Sequence, residues 1–387
     1  MSLLTADMLG PLPGFLHQVA EDVTSIVAPT GDKVWLVSGY ELGRLVLADK
    51  RFSRSEAVKP SAPKFNDVQP VAQSIMSMDG ADHTRLRRII AGRFSSRRIA
   101  EMVPHIENLA DGYLDRMVAR GSPVDLVEGL ATPLPLAVLC SLLGVPEEDT
   151  GQFKDRVNVL FDISVSAPRE KARSRIELVR YMRYLTDYKR QSPGNDLLTT
   201  LIDVNGRGDL SKDELITMGL SLLMAGYETT VGQIGLVVMS MLCEPDTYQR
   251  LAAQPDLLPL ALDETLRLNP VAPLSFPRVA QERVQLGGAT IEAGEAVVVS
   301  LFHANRDDRV FADPAQLTLE ERAWSHLTFG YGSHRCPGAQ LARTQLIVVL
   351  TRLLERFPAL RLSADPHAVA WKQGLATRGL TRLVVTW

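Results

Sequence analysis

The chain has 387 residues, 45% hydrophobic and 22% charged, with a formal net charge of −3 and a sequence pI of about 6.2. That composition can fill a large buried core, and without a basic excess it argues against nucleic acid as a partner. Three scattered cysteines, Cys140, Cys243 and Cys336, argue against a disulfide framework and suggest a reduced, cytosolic chain with one functional thiol.

Met1 to Gly14 is mildly apolar but lacks a basic start and a long hydrophobic stretch, so neither a signal peptide nor an anchor is expected. A short strand over Val34–Val37 leads into a helix over Tyr40–Ala48, and a polar, Pro-containing loop follows from Ser53 to Asp79. Loops of that length in compact proteins are commonly binding elements or lids. From His83 to about Asp263, apolar residues recur at spacings of three and four, the period of helices. Breaks fall at Gly121-Ser122-Pro123, Gly144-Val145-Pro146, Ser192-Pro193-Gly194 and Asn205-Gly206-Arg207-Gly208. Within this region Leu215 to Cys243 is nearly all apolar, but Glu228, Thr229, Thr230 and Gln233 interrupt it where lipid would penalise them. A long helix inside a large protein is therefore expected rather than a membrane span. Strands are expected at Arg283–Leu286, Ala296–Leu301 and Leu380–Val385, with a helix from Ala339 to about Phe357. The pattern predicts a mainly α chain with minor β, not an alternating βαβ fold. Helical portions fall at about 80–268 and 339–357, and β-rich portions at about 20–75, 270–322 and 360–387.

The stretch Phe329-Gly330-Tyr331-Gly332-Ser333-His334-Arg335-Cys336-Pro337-Gly338 precedes that last helix. Its glycines permit a tight turn and close approach to a flat ligand. A thiolate at a helix N-terminus is stabilised by backbone N–H groups and the helix dipole. The residues alone leave two readings open, a functional thiolate or an inert core cysteine on a glycine-rich turn. The loop resembles the haem-binding signature of cytochromes P450, Phe-Gly-x-Gly-x-His-x-Cys-x-Gly, with every fixed position met. The resemblance implies that Cys336 is the axial ligand of haem b (iron protoporphyrin IX), its electron donation aiding cleavage of the O–O bond. It implies further that Phe329 and Gly338 border the haem and that His334 bonds a propionate. Asp125-Leu126, Ala304-Asn305-Arg306-Asp307 and Trp371-Lys372-Gln373-Gly374 also look like bacterial members, so the resemblance covers nearly the whole chain. A single domain over 1–387 is implied, a triangular helical body with small β-sheets around a buried haem. Pro337 has no N–H to offer the sulfur, which predicts one hydrogen bond fewer and a more electron-rich thiolate than in relatives with another residue there.

Met224-Ala225-Gly226-Tyr227-Glu228-Thr229-Thr230 places a glycine, hydroxyls and a carboxylate in the middle of the apolar helix, against propensity. By itself this reads as a kink around a hydrogen-bonded glutamate. Beside the cysteine loop it resembles the P450 distal helix, whose pattern is Ala/Gly-Gly-x-Asp/Glu-Thr, with Ala225 in the first position. That implies a local opening for dioxygen, Thr229 hydrogen-bonding the reacting oxygen and Glu228 relaying protons. The acid–alcohol pair also argues against a peroxide-using relative.

Glu264 and Arg267, three apart on one helical face, would ordinarily form a bland ion pair. They resemble the family's Glu-x-x-Arg motif, with Arg322 as the third member of a structural network. His83 and Arg87 share a face, and with Arg278 they resemble the residues that hold haem propionates; the forked guanidinium suits a carboxylate. Arg85, Arg88, Arg93, Arg97 and Arg98 are candidates for a basic patch that attracts an acidic ferredoxin. By family analogy the substrate pocket takes Ser221, Met224, Leu274, Ser275, Phe276, Leu375 and Ala376, mostly apolar as a water-excluding pocket requires. The implied protein is a monomeric cytoplasmic monooxygenase acting on a bulky apolar natural product such as a polyketide or peptide. Its electrons would come from ferredoxin and an NAD(P)H-dependent ferredoxin reductase, with no nucleic acid or membrane as partner. Hydroxylation, epoxidation and oxidative coupling all fit the sequence. A non-catalytic haem-thiolate sensor or partner-recruiting scaffold fits less well, because the Cys loop and the acid–alcohol pair are both kept.

Overall fold

A turn with Gly31 at φ 90° closes the first hairpin, in which β1 (Val23–Val27) runs antiparallel to β2 (Lys33–Val37). The structure is a computed structural model, described over residues 16, 19, 21–65, 71–151, 168–319, 326–372 and 377–387. After β2 the chain forms α1 (Tyr40–Ala48), β3 (Phe52–Ser53), α2 (Arg54–Ala57), α3 (Gly80–Ala91), α4 (Ser96–Arg120), β4 (Val124–Asp125) and α5 (Pro133–Leu143). A helical series continues with α6 (Pro168–Gln191), α7 (Leu197–Gly206), α8 (Lys212–Leu242), α9 (Pro245–Ala253) and α10 (Leu258–Leu268). Then come β5 (Arg278–Ala280), β6 (Val284–Leu286), β7 (Ala289–Ile291), β8 (Ala296–Val299), α11 (Leu301–Ala304), α12 (Ala339–Arg356), β9 (Arg361–Leu362) and β10 (Val384–Thr386).

Five strands form one sheet in the order β1-β2-β8-β5-β3, parallel only between β2 and β8. Leu36 and Val37 of β2 face Val298 and Val299 of β8, and all four are fully buried. A second sheet joins β4, β10 and β9, so the C-terminal strand closes onto the middle of the chain. The largest core cluster runs through the helical body, and a smaller one lies between the first sheet, α1 and α11.

Helix α8 starts at a capping box, in which Ser211 accepts from the Glu214 N–H while the Glu214 carboxylate accepts from the Ser211 N–H. It packs against α5, α6, α10 and α12, and a helix that is apolar all round needs such cover. Among the described residues it is the one helix long and apolar enough to cross a membrane, and 78% of its most apolar window is buried inside the molecule.

The expected strand before α1, the helix Tyr40–Ala48 and the helix beginning at Ala339 lie where the periodicity puts them. Two strands differ. The one beginning at Ala296 stops at Val299, because Ser300 turns to cap α11 and accepts from the His303 N–H. The last strand starts at Val384, with Leu380 making only an isolated bridge to Trp371. Within the expected loop from Ser53 to Asp79, residues 54–57 form α2, and residues 66–70 lie outside the described ones.

Candidate active site

Helix α12 is entered through a loop that only glycine can make at two points. Gly330 and Gly332 both stand at φ 71°, and a Cβ on Gly332 would lie 2.6 Å from the Leu47 carbonyl oxygen at the end of α1. The loop curls so that the Cys336 N–H donates to the Phe329 carbonyl at 2.8 Å and the Gly330 N–H to that of Leu327 at 2.7 Å. Burial pushes the Cys336 thiol up, while the Gly338 N–H and the charges of Arg87 and Arg335 favour the thiolate. Among the described residues no group of three or more His, Cys, Asp or Glu side chains could share a metal ion.

A basic cluster stands beside this loop. His83 and His334 stack with ring centroids 4.1 Å apart, and Asp79 lies 3.1 Å from the His334 Nε2. Buried Arg54 and Arg278 complete the cluster with Arg87, whose Nη2 donates to the Arg335 carbonyl at 2.9 Å. Arg278 donates through Nη1 to Phe52 O and through Nη2 to Leu47 O, both at 3.1 Å, but its buried Nε has no partner among the described residues. Arg54 donates to Met76 O at 3.0 Å and to Pro277 O, and its guanidinium lies 4.9 Å from the centroid of the Phe276 ring. Burial pushes Arg54 and Arg278 down to about 10, Arg278 adding to the effect on Arg54. Burial, with the charges of His334 and Arg87, pushes His83 down to about 4. Burial would raise the Asp79 carboxyl, but hydrogen bonds from His334, the Ser55 N–H and Ser53 hold it well below the usual carboxylate range. Three guanidinium groups, Arg54, Arg87 and Arg278, and two histidines thus gather in this cluster with a single carboxylate, an arrangement that favours a further anion.

On α8, Met224 is 39% exposed and Ala225 is also exposed, in the middle of a helix that is otherwise mostly buried. Thr229 donates to the Ala225 carbonyl at 2.6 Å, and Thr230 to that of Gly226 at 2.7 Å. Glu228, 6% exposed, carries its carboxylate 2.8 Å from the Lys372 ammonium. A Cβ on Gly226 would stand 3.0 Å from the Leu139 side chain, so glycine lets α8 press on α5.

Of the expected pocket residues, Ser221 is buried and hydrogen-bonded to Ser74 at 3.0 Å, which ties the loop before α3 to α8. Leu274 bridges to Ser300 and the Ser275 Oγ accepts from the Val299 N–H, whereas the Phe276 ring is exposed. Leu375 and Ala376 lie outside the described residues. Arg267 is only 1% exposed; it grips Glu264 with two hydrogen bonds of 2.9 and 2.8 Å and donates to the carbonyls of Asn305, Pro314 and Gln316. Arg322, the expected third member, lies outside the described residues. The expected basic patch is largely spent within the molecule. Arg85 binds Glu214 and the Asp209 carbonyl, Arg93 binds Thr200 and Asn195, Arg98 binds Glu101 and Asn195, and Arg97 pairs with Glu101. Arg54, Asp79 and Lys372 are site residues that reading the sequence for function missed. Arg54 and Asp79 carry no sequence signal for burial, and Lys372 is 144 residues from its partner.

Residues 125–375 match the family described as Cytochrome P450. Over 378 residues the chain is 41% identical to nocardicin C N-oxygenase of Nocardia uniformis subsp. tsuyamanensis, covering 97% of this chain and 95% of that one. It is 36% identical over 372 residues to mycinamicin IV hydroxylase/epoxidase of Micromonospora griseorubida, covering 96% and 94%. The crystal structure of the LnmA cytochrome P450 hydroxylase, from the leinamycin biosynthetic pathway of Streptomyces atroolivaceus S-140, superposes with a TM-score of 0.91 at 38% identity, covering 99% and 98%. The chain belongs to the cytochrome P450 family. It is a haem-thiolate monooxygenase acting on a small molecule, and the family's cofactor is iron protoporphyrin IX.

That cofactor brings an iron and two carboxylates, and the residues present fit it. Cys336 offers a single soft donor, and the carboxylate-poor basic cluster has at Arg278 Nε a buried donor without a partner among the described residues.

Proposed function

We propose that Cys336 binds the haem iron and that His83, Arg87, Arg278 and His334, with Arg54 behind them, hold its propionates. The observation that carries this is the cluster of three guanidinium groups and two stacked histidines with one carboxylate, beside a cysteine just before α12. The haem, when bound, supplies dioxygen activation. The chain supplies the rest. Cys336 donates electron density through its sulfur, and the Gly338 N–H tempers that donation. Glu228 and Thr229 move protons: the carboxylate, bonded to Lys372, and the hydroxyl, bonded to the Ala225 carbonyl, both stand beside the exposed stretch of α8 and are the groups there suited to general-acid work. Met224 and Phe276 give the substrate chamber apolar surface that keeps bulk water from the reaction.

The substrate is a bulky, mostly apolar natural product, and the reaction a tailoring oxygenation in secondary metabolism. Support comes from relatives named for nocardicin C and mycinamicin IV, aligned along almost the whole chain. Epoxidation is the second reading, favoured by the mycinamicin relative's mixed hydroxylase/epoxidase activity. The enzyme works in the cytoplasm with electrons from ferredoxin and an NAD(P)H-dependent reductase, which approach beside the exposed Arg88 and Arg335. The test is the ferrous–CO spectrum of the purified holoprotein, followed by NAD(P)H-driven turnover with surrogate redox partners and a spin-state screen for substrates. A thiolate-type band that is lost in Cys336→Ala supports the assignment, and a band unchanged in that variant overturns it.

A further inference from the structure

We propose that the guanidinium fork of Arg378 is a buried binding site for a small inorganic anion, chloride, enclosed by the end of α10, helix α8 and the C-terminal segment. The site is separate from the cysteine loop and its basic cluster, and nothing in the reading of those residues depends on it.

Arg378 is only 7% exposed. A Cβ on Gly232 of α8 would stand 2.6 Å from the Arg378 carbonyl oxygen, so glycine lets this segment lie directly on the helix. One edge of the guanidinium is in use: Nη1 donates to Asn269 Oδ1 at 2.5 Å. The Trp371 ring stands beside it, its centroid 5.1 Å from Cζ. On the other edge Nε and Nη2 are both buried and have no partner among the described residues. Those two N–H groups form the edge with which an arginine grips an anion at two points. Arg267 uses that very edge in this chain, its Nε and Nη2 taking the two Glu264 oxygens at 2.9 and 2.8 Å.

The acceptors nearby are already engaged. Asn269 O accepts from Gln233 Nε2 at 3.1 Å, and Gln233 Oε1 accepts from the Val271 N–H at 3.0 Å. The Val271 carbonyl takes the Arg378 N–H at 2.6 Å. Asn269 Nδ2 donates to Ser240 Oγ at 3.0 Å, and that hydroxyl donates to the Leu236 carbonyl at 2.7 Å. Turning the Asn269 amide would therefore break this network without meeting the fork.

Charge favours an anion over water. Arg306 donates to the carbonyls of Leu268 and Phe302 and stacks on the Phe302 ring, 3.8 Å from its centroid. The charges that bear on it are those of Arg267 and Arg378, both positive. Burial pushes Arg306 and Arg378 down to about 9, so both are still cations at neutral pH. Among the described residues neither is paired with a carboxylate, and Glu264 is taken by Arg267. The carbonyl end of α10 offsets part of this, but a helix terminus carries only about half a charge. Water could satisfy the two N–H groups and would leave the excess charge in place. A singly charged ion also loses far less hydration on entering a closed site than phosphate or sulfate would.

The test uses the holoenzyme exchanged into sodium gluconate, whose anion is too bulky for a closed site, with chloride added at constant ionic strength. Calorimetry should show Tm rising saturably with chloride, by roughly 3 °C. Arg378→Met should lose that response while keeping its haem and its ferrous–CO band. Crystals of the unsubstituted holoenzyme grown in sodium bromide should show an anomalous peak within hydrogen-bond distance of Arg378 Nε and Nη2. A water without anomalous signal on the fork overturns the proposal, as does a chloride response of full size in Arg378→Met. Bromide on the fork with no chloride response in solution marks an adventitious ion only and overturns it too. Should Arg378→Met fail to fold, the bromide peak and the chloride response of the unsubstituted enzyme decide together.

Discussion

The sulfur of Cys336 is pushed toward the thiol by burial and toward the thiolate by one backbone donor, Gly338, and two neighbouring guanidinium groups. Residue 337 could have supplied another donor, but as proline it has none. Replacing Pro337 with Leu should therefore raise the haem reduction potential, read by spectroelectrochemical titration; an unaltered potential would show that this position does not tune the sulfur. Residues with singular chemistry stand out in the sequence, as the cysteine among glycines and the acid beside the threonine do. Arg54 was not, because nothing local distinguishes it from an exposed arginine opening a short helix. Its burial comes from Met76 and Pro277, 22 and 223 residues away.

Among elements, the cysteine loop depends on its contact with the end of α1. Gly332→Ala would force a side chain into the left-handed region and against the Leu47 carbonyl, costing at least about 1–2 kcal/mol and loosening haem retention. Thermal unfolding and the haem-to-protein ratio after gel filtration would measure it. The Glu264–Arg267 pair shows how an element's setting changes the energetics of a motif. On an exposed helix such a pair contributes only tenths of a kcal/mol. Here both side chains are buried and Arg267 also serves three carbonyls of the segment after α11. Arg267→Met strands a buried carboxylate and those acceptors, and urea denaturation should show a loss of about 3–5 kcal/mol. Helices α3 and α4 give the converse case. Their arginines, with Arg93 between them, look in sequence like a solvated docking patch, yet the fold turns Arg85, Arg93, Arg97 and Arg98 onto Glu214, Glu101, Thr200 and Asn195.

At the scale of the whole molecule, burial makes acid the weak side of the fold. Burial pushes His326 from 6.5 down to about 4, and its Nδ1 accepts from the Thr328 N–H. Above the ordinary histidine range neither the folded nor the unfolded chain holds this proton. As pH falls through 6.5 the unfolded chain takes it up while the folded chain does not until about 4, so stability is lost across that window. His326→Gln should consequently lose less melting temperature than the natural chain between pH 7.5 and pH 5, by differential scanning calorimetry. An equal drop would show that other groups carry the acid sensitivity.

The sequence by itself determined what is local. Periodicity located the helices Tyr40–Ala48 and Ala339–Arg356, and the polar interruption of α8 argued for burial in protein rather than lipid. The glycines and cysteine of one ten-residue loop identified the family, because close approach to a flat cofactor leaves few alternatives at those positions. Tertiary structure decided which groups are desolvated and which distant groups share a charge. Short strands such as β5 and β7 are made by their partners, not by their own three residues. Arg278 keeps a buried Nε without a partner among the described residues, and Glu228 is a carboxylate held by Lys372, only because the fold removes water from both and sets their neighbours. Desolvation depends on everything packed around a group, and no spacing along the chain encodes it.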